Sequence, residues 1–131
     1  MPKPGYEYYI DMVTKRYFDA VDKQDLQRVL DCFHAEATLQ EMTSSTEHCG
    51  REAGIKRMFE GLFAAHSRIW HGNFVHTVDV EGQTICSQFS VEVTPRASGE
   101  ELRYENCNRF YLADGKFDRV FVYMSGDNLL K

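Results

Sequence analysis

Two side chains able to hold or move a proton bracket the stretch RYFDAVDKQDLQRVLDCFHAEATLQE: Tyr17 near its start and Glu41 at its end. A carboxylate placed at an apolar cavity is desolvated in its charged form, which makes it a better general base near neutral pH. A phenol or an amide facing that base can stabilise the enolate oxygen that forms when a proton beside a carbonyl is removed. Asn108 supplies such an amide, so Glu41 as base with Tyr17 and Asn108 as donors is a chemically coherent set that needs no cofactor. The plainer alternative puts Glu41 on the outer face of a short strand and makes Tyr17 a core aromatic. His71, just after Trp70, is a second group able to carry protons near neutral pH, or simply a polar residue where a strand begins. His76 alternates with Phe74 and Val78, as a buried histidine or a residue at a subunit contact.

Asn106 and Asn108 share a strand face with Tyr104, Phe110 and Leu112. Two amides on an otherwise apolar face need partners if buried, and either a ligand pocket or a polar edge would supply them. Met42, Met58, Phe59, Phe63 and Trp70 are adaptable apolar or aromatic side chains suited to a cavity wall, and equally to a plain core. No metal site is expected: Glu47-His48-Cys49 are neighbours in sequence that do not converge on one ion, and no histidine pair has H-x-H or H-x-x-x-H spacing. Dinucleotide, phosphate-loop and nucleophile-elbow patterns are missing from the sequence.

These groups must be positioned by ordinary elements. Apolar residues at Tyr6, Tyr9, Ile10, Val13, Tyr17, Ala20 and Val21 predict a helix from Tyr6 to about Val21. After the polar break Asp22-Lys23-Gln24, a second helix is predicted from Asp25, its cap, to about Phe33. Ala37–Met42 alternates as a short strand, and Thr43–Gly50 is a polar loop. A third amphipathic helix is predicted from Arg51 to about His66, weakened locally by Gly54 and Gly61. The period then changes to two. Strands are expected over Phe74–Val80, Ile85–Thr94, Leu102–Leu112 and Phe117–Met124, the last pair joined by an Asp-Gly turn that signals a hairpin. The order is ααβαββββ, an α+β arrangement with helices packed on one face of a curved antiparallel sheet.

The 131 residues suit a single domain over 1–131, and a composition 43% hydrophobic and 13% aromatic is that of a globular chain. A net charge of −5 without any basic stripe argues against nucleic acid as a partner. No apolar run approaches the roughly 20 residues of a membrane span, and the N-terminal residues lack a signal-peptide core, so a soluble, cytoplasmic protein is expected. Cys32, Cys49, Cys86 and Cys107 form no C-x-x-C pair and are expected as reduced thiols.

The stretch from Arg16 to Glu41, the segment GREAGIKRMFEGLF, the hairpin VDVEGQTICSQFSVEV and the ending NRFYLADGKFDRVFVYMSGD together resemble the nuclear-transport-factor-2-like superfamily, with its SnoaL-like and ketosteroid-isomerase-like members. The resemblance implies a cone of curved sheet closed by helices around a central pocket for an apolar small molecule, often with homodimers formed through the sheet. Tyr17 falls on the oxyanion-donor position of the steroid isomerases and Glu41 on their general-base position, where those enzymes have Asp. Their second donor, a protonated Asp, is replaced here by Asn108, or by Cys107 if the turns are counted differently. His71 resembles an acid–base histidine of scytalone-dehydratase-like members. What the resemblance implies is a cofactor-independent isomerase, cyclase or dehydratase acting on an apolar carbonyl compound. The alternatives are a non-catalytic binding protein with the same pocket and a dimeric assembly module.

Overall fold

A computed structural model describes residues 4–131. The first rod is continuous: α1 (Tyr6–Asp11), a π-helical stretch Met12–Phe18, and α2 (Asp19–Asp22). A short helix α3 (Leu26–Leu30) follows, capped as expected by Asp25, whose side chain accepts from the Arg28 amide at 3.3 Å. Then come β1 (Phe33–Glu41), β2 (Thr46–Cys49), a second π-helical stretch Gly50–Ile55, and α4 (Lys56–Ala65). The meander β3 (His66–Asp79), β4 (Thr84–Pro95), β5 (Leu102–Ala113) and β6 (Lys116–Met124) completes the regular structure.

The strands form one six-stranded curved sheet, order β2-β1-β6-β5-β4-β3, that does not close into a barrel. It is antiparallel throughout except where β1 runs parallel to β6, so the expected wholly antiparallel sheet is corrected to a mixed one. The inner face packs on the helices. Ile85, Phe89, Val91 and Val93 of β4 and Phe110 and Leu112 of β5 are buried there, in the alternation read from the sequence. Tyr17 sits in a nest of rings, with centroids 4.7–5.8 Å from Phe18, Phe33, Phe110 and Phe117.

Three boundaries differ from expectation. The supposed loop Thr43–Gly50 contains β2, which pairs with β1. Strand β1 begins at Phe33 rather than Ala37, taking the end of the expected second helix. Strand β3 begins at His66, eight residues before the alternation at Phe74. The reason is a register shift between Gly72 and Val75, where Asn73 has φ +55°. A bulge inserts a residue and breaks the period of two, so Ile69 and His71 are out of phase with the later Phe74 and His76. Gly54, read as a weak point in a helix, has a packing role: a Cβ there would lie 2.6 Å from the Cys49 backbone nitrogen.

His76 lies on the buried side of β3, with its ring stacked on Phe74 and its Nδ1 2.8 Å from the Ser87 hydroxyl. Burial holds this imidazole below its ordinary range. The unfolded chain therefore takes up a proton that the folded chain resists. The contribution is fully present above the usual histidine value of about 6.5 and is lost as pH falls toward the lowered folded value. Urea midpoints measured from pH 8 to 5 are expected to fall on acidification, and His76→Gln should flatten that slope. An unchanged slope in the variant would remove His76 as its source.

Candidate active site

A small cavity lies between the helices and the inner face of the sheet. Its helical wall is Tyr17, Phe18, Val21, Phe59 and Leu62. Its sheet wall runs from Ile69 and His71 through Phe89, Val91 and Val93 to Asn106, Asn108 and Val122, and Met124, Leu129 and Leu130 close one side. The cavity volume is about 40 Å³.

The polar groups of this apolar chamber are few. His71 is held from two directions. Asp22, at the end of α2, takes both its backbone amide (3.0 Å to Oδ2) and its Nδ1 (2.6 Å to Oδ1). The imidazole ring stacks on Phe18, with centroids 4.3 Å apart, and tilts against Phe89 at 5.4 Å. Because a carboxylate only accepts, Nδ1 carries the proton. Nε2 is then the lone-pair nitrogen of the neutral ring, without a hydrogen-bond partner among the described residues. This is a base fixed in one tautomer by a carboxylate, the arrangement that acid–base catalysis requires.

Tyr17 and Asn108 share the chamber with His71. Burial raises the Tyr17 phenol well above its ordinary range, so it stays protonated and can only donate toward a developing anion. Its hydroxyl has no hydrogen-bond partner among the described residues, and Asn108 Oδ1 is buried without one. An orphaned carboxamide oxygen in an apolar chamber is costly unless a ligand donates to it, and the same side chain carries an NH₂ that can donate. Asn106 is partly satisfied, its Oδ1 accepting from the Ser125 amide at 3.3 Å.

Glu41 stands elsewhere. It is fully buried, but its carboxylate turns into the hairpin between β1 and β2. Oε1 accepts from the Thr43 and Ser44 amides, and Oε2 accepts from the Ser44 hydroxyl at 3.2 Å. It does not line the cavity, and its acceptor sites are engaged by its own turn. Of the expected wall, Phe59 and Asn106 line the cavity. Met58 and Phe110 are fully buried core beside it, and Phe63 packs on Phe59 with centroids 5.9 Å apart. Trp70 alternates with the inward Ile69 and His71 and so faces outward, lying over Gly72. Met42 follows the end of β1, and Tyr104 packs against Gly126. Asp22 was legible only as part of a polar break, because its partner is 49 residues away.

A family model for the SnoaL-like domain matches residues 14–120. The chain belongs to the SnoaL-like family. That range holds the polar residues that line the chamber, Tyr17, His71, Asn106 and Asn108, and Asp22, which holds His71. No curated protein matches the chain. Among solved structures, this SnoaL-like protein superposes on a candidate polyketide cyclase from Xanthomonas campestris pv. campestris with a TM-score of 0.80, 17% identity and coverage of 94% of this chain and 92% of that one. AusH from Aspergillus nidulans gives a TM-score of 0.81 at 13% identity, covering 95% and 88%. SalBIII, an epoxide hydrolase/cyclase-like enzyme of pyran ring formation in the polyether salinomycin, gives 0.79 at 18%, covering 91% and 92%. At these identities the likeness is one of fold.

Proposed function

We propose that this SnoaL-like protein is a cofactor-independent acid–base enzyme of the isomerase, cyclase or dehydratase type acting on an apolar carbonyl compound, with His71 rather than Glu41 as its base. The observation that carries the reading is the Asp22–His71 pair, whose imidazole lines an apolar chamber that also holds Tyr17 and Asn108. The cyclase-type descriptions of two structural neighbours support the reaction class.

The chemistry follows from the groups. Nε2 of His71 removes a proton from the carbon beside the carbonyl. The C–H electron pair moves into the new enolate, and the charge on oxygen is met by the Tyr17 O–H and the Asn108 N–H. Asp22 holds the imidazolium that forms. Returning the proton to a different carbon gives an isomerase. Attack of the enolate carbon on a second carbonyl, which then takes the proton, gives a cyclase. Giving the proton to a departing β-hydroxyl gives a dehydratase and water. The homodimer through the sheet belongs to the same proposal, and the exposed Tyr123 and Val75 on the sheet favour it.

The test is deuterium incorporation beside the carbonyl when apolar ketones are incubated with the protein in D₂O, followed by NMR. Tyr17→Phe, which deletes one donor and keeps the ring packing, is expected to slow exchange by about 10²-fold. A ketone bound tightly in the chamber without any exchange would favour the binding-protein alternative.

A further inference from the structure

One side of the chamber is closed by chain outside any helix or strand. The segment Ser125–Lys131 follows β6 and folds back so that Leu129 and Leu130 line the cavity beside the sheet. Its fastenings are few. Asn128 Nδ2 donates to Ser44 Oγ at 3.0 Å, and His48 Nε2 donates to the Leu130 carbonyl at 2.8 Å. A third bond, from the Leu130 amide to Asn128 Oδ1 at 2.7 Å, is internal, and at the start of the segment the Ser125 amide donates to Asn106 while its hydroxyl accepts from the Glu105 amide at 3.0 Å. Both longer-range anchors of Asn128 and Leu130 end on the β1–β2 hairpin, the turn that Glu41 organises from within. The buried carboxylate that reads as a base in sequence is therefore the footing of a latch.

The volume left in the chamber, about 40 Å³, holds a water or two and no substrate. Ligand sites take roughly 300–1,000 Å³. Leu129 and Leu130 share the lining with Val21, Leu62, Ile69, Val91 and Val93, so two isobutyl groups form part of the chamber's apolar wall. The same lining carries the polar groups His71 and Asn108.

We propose that Ser125–Lys131 is a strap displaced by substrate, and that Leu129 and Leu130 keep the seat of a branched aliphatic body carried by the carbonyl compound. The substrate class rests on the acid–base reading above, while the strap itself rests on the packing and the latch. A branched, non-planar skeleton replaces two leucine side chains without remaking the walls. A flat aromatic one does not.

The experiment uses the full-length protein with ¹³C-labelled leucine methyls, titrated with menthone as a branched alicyclic ketone and 2-acetylnaphthalene as a flat one. The Leu129 and Leu130 methyl signals, assigned through Leu129→Met and Leu130→Met, are expected to move to solvated positions as menthone saturates. Asn128→Ala removes both the bond to Ser44 and the acceptor of the Leu130 amide, and should bind menthone at least about three- to tenfold more tightly. Ser44→Ala cuts the same bond from the hairpin side and should do likewise. Leucine signals that stay fixed at saturation, or equal or weaker binding by both latch variants, overturn the strap. Tighter binding of 2-acetylnaphthalene overturns the substrate class. Strap movement in a protein that never exchanges an α-proton leaves the strap standing and sinks the acid–base reading alone.

Discussion

His71→Asn is expected to lower kcat for α-proton exchange by about 10²- to 10⁴-fold, the range for losing a positioned general base. The thermal midpoint should fall by a few degrees as well, because a buried ring stacked on Phe18 gives way to a shorter side chain, so the rates are compared well below that midpoint. Asparagine keeps a donor for the Asp22 carboxylate but has nothing at the Nε2 position, so the variant removes the base while sparing its anchor. Asp22→Asn should also cost kcat, because a carboxamide can donate to Nδ1 and turn the ring to the tautomer whose Nε2 is already protonated. Steady-state kinetics on any ketone that exchanges would decide it. A loss below tenfold in His71→Asn would move the chemistry to another group.

Glu41→Ala is expected to fall on stability instead. The substitution strips the acceptor from the Thr43 and Ser44 amides and from the Ser44 hydroxyl, and leaves a hole in a fully buried site. Unpaired donors cost about 1–3 kcal/mol each when buried, and less here because the turn residues are exposed and water can reach them. Together with the cavity, a loss of about 3 kcal/mol is expected, read as a fall in Tm on the order of 10 °C. Glu41→Gln should lose much less, since its carbonyl can take both amides while its NH₂ meets the Ser44 hydroxyl. Through the latch, affinity for an apolar ketone should shift, but kcat should change far less than in His71→Asn. Denaturation in urea, with Glu41→Ala within about 0.5 kcal/mol of the parent, would sink this account of the hairpin.

The two substitutions show where sequence reasoning reaches and where it stops. Periodicity located the inner faces of β4 and β5 because burial on one side forces alternation at Ile85, Phe89, Val91 and Val93. The family resemblance, not periodicity, set Tyr17 and Asn108 in one chamber, and both are among its lining residues. Periodicity missed the start of β3 because the Asn73 bulge resets the phase. Asp22 and His71 are joined by tertiary packing, which no local pattern records. Glu41 carried a signal that was available: a carboxylate followed by Thr43-Ser44-Ser45 can accept from the amides of its own turn, as short polar side chains do at caps and turns. Leu129 and Leu130, two apolar residues after a strand, have no period to assign them a wall.

The parallel pairing of β1 with β6 bears on how the chain reaches this structure. Thr38 lies opposite Arg119 and Glu41 opposite Val122, so one side of an early strand stays unpaired until the last strand has been made. The β3–β6 meander can zip through local hairpins, but β1 must wait, and its pairing with β6 then closes a long loop. Folding should be correspondingly slow for a chain of this size, and the chamber should be among the last parts to become whole. During synthesis, Tyr17 and Asp22 would leave the ribosome long before His71 and Asn108 exist to meet them.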